Sequence, residues 1–274
     1  MIEEYRTKIK EATDFIKSKI NIVPEIALIL GSGLGDLANE VENKVVIPYS
    51  EIPNFPKSTA PGHAGNFVFG TLSGKPVAIM QGRLHLYEGY TPKEVALPVR
   101  VMKSLGVKTL IVTCASGGLN RNFKAGDLML ISDHLNLTSV NPLTGPNDTT
   151  MGDRFPVMFG AYDSELREIA KNVGLKNGIH LQTGVYAGIT GPTYTTRAEL
   201  RYLIALGSDS VGMSVVQEVI AARHSDIKVL GVATITDMAL PDSPHHSTET
   251  EILETANRVG PVFRNLLKSI LVEI

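Results

Sequence analysis

Ile26-Ala27-Leu28-Ile29-Leu30-Gly31-Ser32-Gly33-Leu34-Gly35-Asp36 decides how this chain is read, because an unbroken apolar run passes directly into glycine-rich sequence. An apolar run without polar alternation suits a strand buried on both faces of a sheet. The glycines let backbone N–H groups close on an anion, and the Ser32 hydroxyl adds a donor. The turn is not a dinucleotide fingerprint, since Asp36 stands where the last glycine belongs, and it lacks the Gly-Lys-Ser/Thr of a phosphate-binding P-loop. By itself it reads as an anion site or as a tight turn.

Working outward, similar β-branched runs recur at residues 67–72, 77–80, 110–113, 128–131, 185–189, 210–213 and 229–235. Helical spacing appears at residues 1–20, 92–105, 163–173, 197–206, 215–224 and 248–270. In the last of these, Ile252, Ala256, Val259, Phe263, Leu266 and Ile270 form one apolar stripe. Strands alternating with helices, with no low-complexity linker or internal repeat, predict one α/β domain across residues 1–274. The stretch 136–156 is the least regular, and such loops are often functional or lie at subunit contacts.

Composition narrows the function classes. With 26 Lys plus Arg against 28 Asp plus Glu, the net charge of −2 offers no broad positive field for nucleic acid or a membrane surface. The single cysteine, Cys114, excludes an internal disulfide and any multi-cysteine metal site, which points to a reducing compartment. No apolar run approaches the roughly 18–20 residues a bilayer requires, and the amphipathic first helix lacks a signal peptide's core. The expectation is a cytoplasmic protein acting on small molecules.

Polar residues gather after the apolar runs. Gln81-Gly82-Arg83-Leu84-His85-Leu86-Tyr87-Glu88-Gly89-Tyr90 offers a guanidinium fork for an oxyanion, His85 as a second donor, and Glu88 close enough to orient that imidazole. Thr113-Cys114-Ala115-Ser116-Gly117-Gly118-Leu119-Asn120 reads as a small-residue turn in which Cys114 is buried. His63, in Pro61-Gly62-His63-Ala64-Gly65, has in isolation no claim on catalysis. Thr196 with Glu199 makes a capping box that starts a helix. Gly212-Met213-Ser214-Val215-Val216-Gln217-Glu218 passes from strand to helix, where a hydroxyl and first-turn N–H groups favour anions. Thr234-Ile235-Thr236-Asp237 ends the last strand on a carboxylate. Several polar strand ends imply one shared cleft at the carboxyl edge of the sheet.

Taken together, GSGLG, GHAG, QGR-x-H-x-YEGY, GDRFP, GP-x-Y and GMS resemble, in this order and spacing and over nearly the whole chain, the trimeric purine nucleoside phosphorylases. That family shares its fold with the methylthioadenosine phosphorylases. The resemblance implies a single α/β domain with a mixed, partly barrel-like central sheet flanked by helices, a homotrimer, and no metal or organic cofactor. It also implies reversible attack of inorganic phosphate on a purine nucleoside, giving free base and pentose 1-phosphate. On that resemblance Ser32, His63, Arg83, His85, Ala115 and Ser214 fall on phosphate positions. Tyr87 and Met213 fall on ribose positions, with His246 (or His245) for the 5′ group, and Tyr194, Thr195 and Asp237 on base positions. Catalytic roles fall on His85, Glu88 and Asp237, and Phe155 would be lent to a neighbouring subunit's site.

The sequence departs from that pattern at the base. Enzymes cleaving inosine and guanosine usually carry glutamate at the position of Thr195 and asparagine at that of Asp237. A threonine can donate to adenine N1, and a carboxylate can accept from a 6-amino group, so both changes predict a shift toward 6-aminopurine nucleosides. Cys114 and Gln217 also depart, from asparagine and proline respectively. If neither histidine meets the 5′ group, a methylthioadenosine phosphorylase-like activity is the alternative. Two further readings are a nucleoside-binding protein without catalysis and a hydrolase using water in the same cleft.

Overall fold

Both faces of the central strands are buried, as their unbroken apolar sequence predicts. In β1 (Ile26–Ile29) Ala27 and Ile29 enter one core with α1 (Ile2–Lys17), α2 (Pro92–Leu105) and α5 (Val216–His224). Ile26 and Leu28 enter a second core with α3 (Ser164–Lys176) and α6 (Glu249–Glu273). Each fully buried aliphatic side chain contributes about 1.5–3 kcal/mol, so the sheet is held from both sides. The computed structural model describes residues 2–60 and 62–274; Met1, counted above in the first helical stretch, and Pro61, the first residue of the His63 motif, lie outside the described residues.

The remaining strands are β2 (Glu42–Pro48), β3 (Asn66–Leu72), β4 (Lys75–Gln81), β5 (Thr109–Gly118), β6 (Leu128–Asn136), β7 (Leu181–Gly188), β8 (Ser210–Gly212) and β9 (Lys228–Met238). Helix α4 (Arg197–Ala205) follows β7 and opens on the Thr196–Glu199 capping box. The sheet runs β2-β3-β4-β1-β5-β8-β7-β6-β9, and an added β5–β9 pairing closes its last five strands into a barrel-like ring. Parallel pairs β1–β4, β1–β5 and β5–β9 mix with antiparallel pairs such as β3–β4 and β6–β9, giving the mixed α/β sheet the sequence predicts.

Three local differences from the sequence reading have physical causes. Strand β2 shows only the short apolar run Val45–Ile47 because it is an edge strand, exposed over Glu42–Lys44, with only Ile47 fully buried. Residues 113–118 are not a turn but the continuation of β5. Small residues are required there, since a Cβ at Gly117 would stand 2.8 Å from the Ala239 side chain and one at Gly118 2.8 Å from the Met238 sulfur. Helix α5 starts one residue late because Val215 has φ +58°, a conformation costly for a β-branched side chain.

The glycine-rich turn after β1 is a packing device as well as a candidate anion site. Gly33 has φ +78°, and a Cβ there would lie 2.6 Å from the carbonyl oxygen of Ala256 in α6. Gly260 of α6 would in turn meet the Gly33 carbonyl at 2.6 Å. Gly33→Ala is therefore expected to lower stability by about 2–4 kcal/mol, from left-handed strain plus a backbone clash. Urea unfolding will show this as a lower midpoint with an unchanged slope.

Candidate active site

A single cleft opens where β1, β4, β5, β8 and β9 end or bend, lined by Ser32, Arg83, Ala115, Ser214, Tyr194 and Asp237 among others. The first four define one end. Arg83 leaves β4 through Gly82 and is 1% exposed. Its Nε and Nη2 donate to the two oxygens of Glu218 at 3.1 and 2.7 Å, and Nη1 donates to the Thr113 carbonyl. Thr113 is itself fixed, its hydroxyl donating to the Ile29 carbonyl at 3.0 Å and accepting from Gly31 N–H at 2.9 Å. A buried cation is thus locked across three strands, with its plane set by a carboxylate.

Ser214 lines the same cleft, at a tight bend of the backbone before α5. Val216 N–H reaches the Ser214 carbonyl at 2.8 Å around the strained Val215, while Ser214 N–H donates to Tyr186 Oη at 3.2 Å. Strain of this kind persists where surrounding contacts over-determine it. Cys114, close to Ser214, is buried, and burial pushes its thiol up to about 12, so it is an inert neighbour of the cleft.

Two imidazoles with distinct settings meet here, His85 on the Arg83–Tyr87 turn and His63 from the loop before β3. Glu88 accepts from His85 N–H at 2.8 Å and meets His85 Nδ1 at 3.0 Å, while its other oxygen accepts from Thr59 N–H and Oγ1 at 2.7 and 2.6 Å. Burial alone would raise the Glu88 carboxyl, but these bonds from His85 and Thr59 hold it at about 2. The ring of His85 stacks on Tyr87 with centroids 4.5 Å apart. His63 lies 5.3 Å from His85, ring to ring, and its Nδ1 meets the Arg83 backbone, 2.9 Å from the nitrogen and 3.1 Å from the carbonyl oxygen. Burial, followed by the nearby His85, lowers His63 to about 4 and keeps it neutral.

At the other end, Asp237 is turned inward by a register shift. β5 and β9 pair Ser116 with Ile235, then Gly117 with Asp237, so Thr236 is an extra residue, a bulge that re-aims the next side chain. Thr236 Oγ1 donates to Asp237 Oδ1 at 3.0 Å, and burial raises the Asp237 carboxyl above its ordinary range. Tyr194 stands at the rim, 48% exposed, with the His246 ring 4.3 Å away. Met213, Thr195 and His246 all line this cleft. His245 is not among its lining residues.

Phe155 does not join the cleft of its own chain: it is 84% exposed, on the irregular loop with Val157 and Phe159 at 72% and 94%. Sequence reading missed Glu218 as a site residue, although a carboxylate within the apolar Val215–Ala222 stretch was the available signal. It also missed Thr59, which nothing local marks, and the bulge at Thr236, which only strand pairing reveals.

A family model described as "Phosphorylase superfamily" matches residues 25–272. "Purine nucleoside phosphorylase 1" of Geobacillus stearothermophilus is 51% identical over 266 residues, 97% of each chain. The bovine purine nucleoside phosphorylase is 46% identical over 92% of this chain and 89% of that protein. This chain belongs to the purine nucleoside phosphorylase family. Solved structures agree: a Schistosoma purine nucleoside phosphorylase in complex with hypoxanthine matches with TM-score 0.94 and 43% identity over 98% of this chain and 97% of that one. The Schistosoma mansoni enzyme with adenosine gives TM-score 0.94 and 44% identity over the same shares.

Within this family architecture the neutral His63 has a measurable signature. Its folded pKa, about 4, lies below the ordinary 6.5, so the unfolded chain takes up the proton first and stability falls as pH drops from 6.5 toward 4. Denaturant midpoints across that window are expected to slope less in His63→Asn than in the wild type, by about the uptake of one proton.

Proposed function

We propose that this chain cleaves purine nucleosides by phosphorolysis, with inorganic phosphate held by Ser32, Arg83, His85, Ala115 N–H and Ser214, and His63 nearby. One observation carries the reading: the cleft has a buried, carboxylate-oriented guanidinium at one end and a buried carboxyl group, Asp237, at the other. Such a polarity suits a reaction that joins an anionic nucleophile to C1′ and releases electrons onto a leaving base. The Glu218 fork leaves the remaining N–H edges of Arg83 as donors. Glu88 fixes His85 so that its Nε2 is the nitrogen available to phosphate.

As the C1′–N9 bond breaks, a phosphate oxygen forms the new bond to C1′ and the bonding pair passes into the purine, whose N7 then takes a proton or a hydrogen bond at Asp237. Tyr87, Met213 and His246 would seat the sugar, and Tyr194 and Thr195 the base. Alignment of the two reactants supplies much of the rate, and no covalent enzyme intermediate is required. No metal or organic cofactor enters this scheme. Among the described residues no helix is long and apolar enough to span a membrane. We place the protein in the cytoplasm as a single 1–274 domain and assign it a homotrimer in which Phe155 completes the neighbour's cleft.

Base choice follows from the two departures. The Thr195 hydroxyl makes no hydrogen bond among the described residues, and only one Asp237 oxygen is occupied by Thr236. A donor and an acceptor therefore face the base, the pattern a 6-aminopurine requires. At saturating phosphate, adenosine should be cleaved at a rate comparable to or above that of inosine and guanosine. Asp237→Asn should shift the adenosine-to-inosine ratio of kcat/KM toward inosine by about tenfold or more. Inosine strongly preferred by the wild type would overturn this assignment. Methylthioadenosine as the best substrate would instead favour the methylthioadenosine phosphorylase-like reading, for which the rim position of His246 leaves room. Phe155→Ala should raise the nucleoside KM several-fold while leaving the unfolding free energy within about 0.5 kcal/mol of wild type, since an exposed side chain contributes little to the fold of its own chain.

A further inference from the structure

Away from the cleft, a cavity of about 400 Å³ lies between α1, α2, the loop around Thr150 and the end of α5. Its wall carries Arg6, Lys10, Lys17, Arg100 and Lys103 against one carboxylate, Asp14. Two of the cations are answered locally, Lys10 by Asp14 and Arg6 by Asp148. Lys17, Lys103 and Arg100 have no carboxylate within ion-pair distance among the described residues.

Arg100 is the decisive member. It is 6% exposed, and its Nη1 donates to the Ala221 carbonyl at 3.3 Å and the Ser225 hydroxyl at 2.5 Å, both neutral. Its Nε meets no acceptor. Burial pulls its pKa down, with the Tyr5 ring hydroxyl beside it and, more weakly, Asp148, which is already paired with Arg6, as partial relief. The hydroxyl of Thr13, on the same wall and 5% exposed, is also unpartnered. A buried guanidinium with no carboxylate at ion-pair distance is costly, in contrast to Arg83, which the same fold supplies with Glu218.

We propose that this cavity is a second anion site, separate from the cleft, which binds the phosphate group of a small molecule through Arg100, Lys103 and Lys17. Guanidinium and ammonium donors converging on a concave wall are the chemistry that recognises a phosphate dianion. The volume falls within the range of small-molecule pockets, roughly 300–1,000 Å³, so a phosphate monoester fits as well as the free ion.

Thermal unfolding of the full-length protein in chloride buffer, titrated separately with inorganic phosphate and with ribose 5-phosphate, tests the assignment, together with calorimetric stoichiometry for each. The wild type should bind two phosphates per chain, one of them in the cleft. Arg100→Met should retain one, with its second-site affinity weakened by about tenfold or more. Lys103→Gln, an exposed change that leaves the core alone, should weaken the same site about threefold. Without added phosphate, Arg100→Met should unfold at or above the wild-type temperature, and the order should reverse as phosphate is raised. A merely structural arginine would instead leave the variant less stable by the same margin throughout. Equal saturation by both ligands identifies the free ion as sufficient, and tighter binding of ribose 5-phosphate identifies an ester; either supports the site. One phosphate per chain in the wild type, or parallel curves for wild type and both variants, would overturn it.

Discussion

The parallel ladder between β5 and β9 is the constraint from which the cleft follows. It runs from Thr109–Lys228 to Gly118–Met238, and its single shift, after Ser116–Ile235, makes Thr236 a bulge. Without that extra residue Asp237 would keep the alternation of the strand and point to the opposite face. The same ladder closes the barrel-like ring, and the crowding there forces the glycines at 117 and 118. Its β5 half also carries Thr113, whose hydroxyl ties Gly31 to the end of the first strand and whose carbonyl holds Arg83. The two chemical ends of the cleft are therefore set by one element.

Electrostatics divides the labour along that cleft. Arg83 and Glu218 are both desolvated, and their bidentate geometry serves orientation rather than net stability, since a buried ion pair recovers little beyond its own desolvation cost. Glu88, held low by His85 and Thr59, acts in the same way on the imidazole next to it. Asp237 is treated oppositely: burial raises its carboxyl, and only the Thr236 hydroxyl opposes this. A fixed cation at one end and a reluctant anion at the other match a reaction that carries negative charge from nucleophile to leaving group.

Most of the framework was legible because burial on both faces writes itself as unbroken apolar sequence, and because capping boxes such as Thr196–Glu199 mark helix starts. The motif residues Ser32, Arg83, His85, Tyr194, Ser214 and Asp237 do line one cleft. What stayed hidden depended on tertiary context. Edge strand β2 needs few apolar residues, the extension of β5 looks like a turn because its neighbours demand small side chains, and the bulge at Thr236 exists only relative to β5. Glu218 was visible as a residue but not as the partner of Arg83, 135 positions away. Gly33 was visible as a glycine, yet its close approach to Ala256 of α6 could not be inferred from the turn alone.

The most direct test follows the nucleophile. Purified protein is incubated with nucleoside, with and without inorganic phosphate, while free base is measured by absorbance and pentose phosphate by phosphorus NMR. Base should appear only when phosphate is present, matched one for one by pentose 1-phosphate, and the rate should saturate with phosphate. Base released at the same rate without phosphate, with free pentose as the other product, would make water the nucleophile and contradict the account.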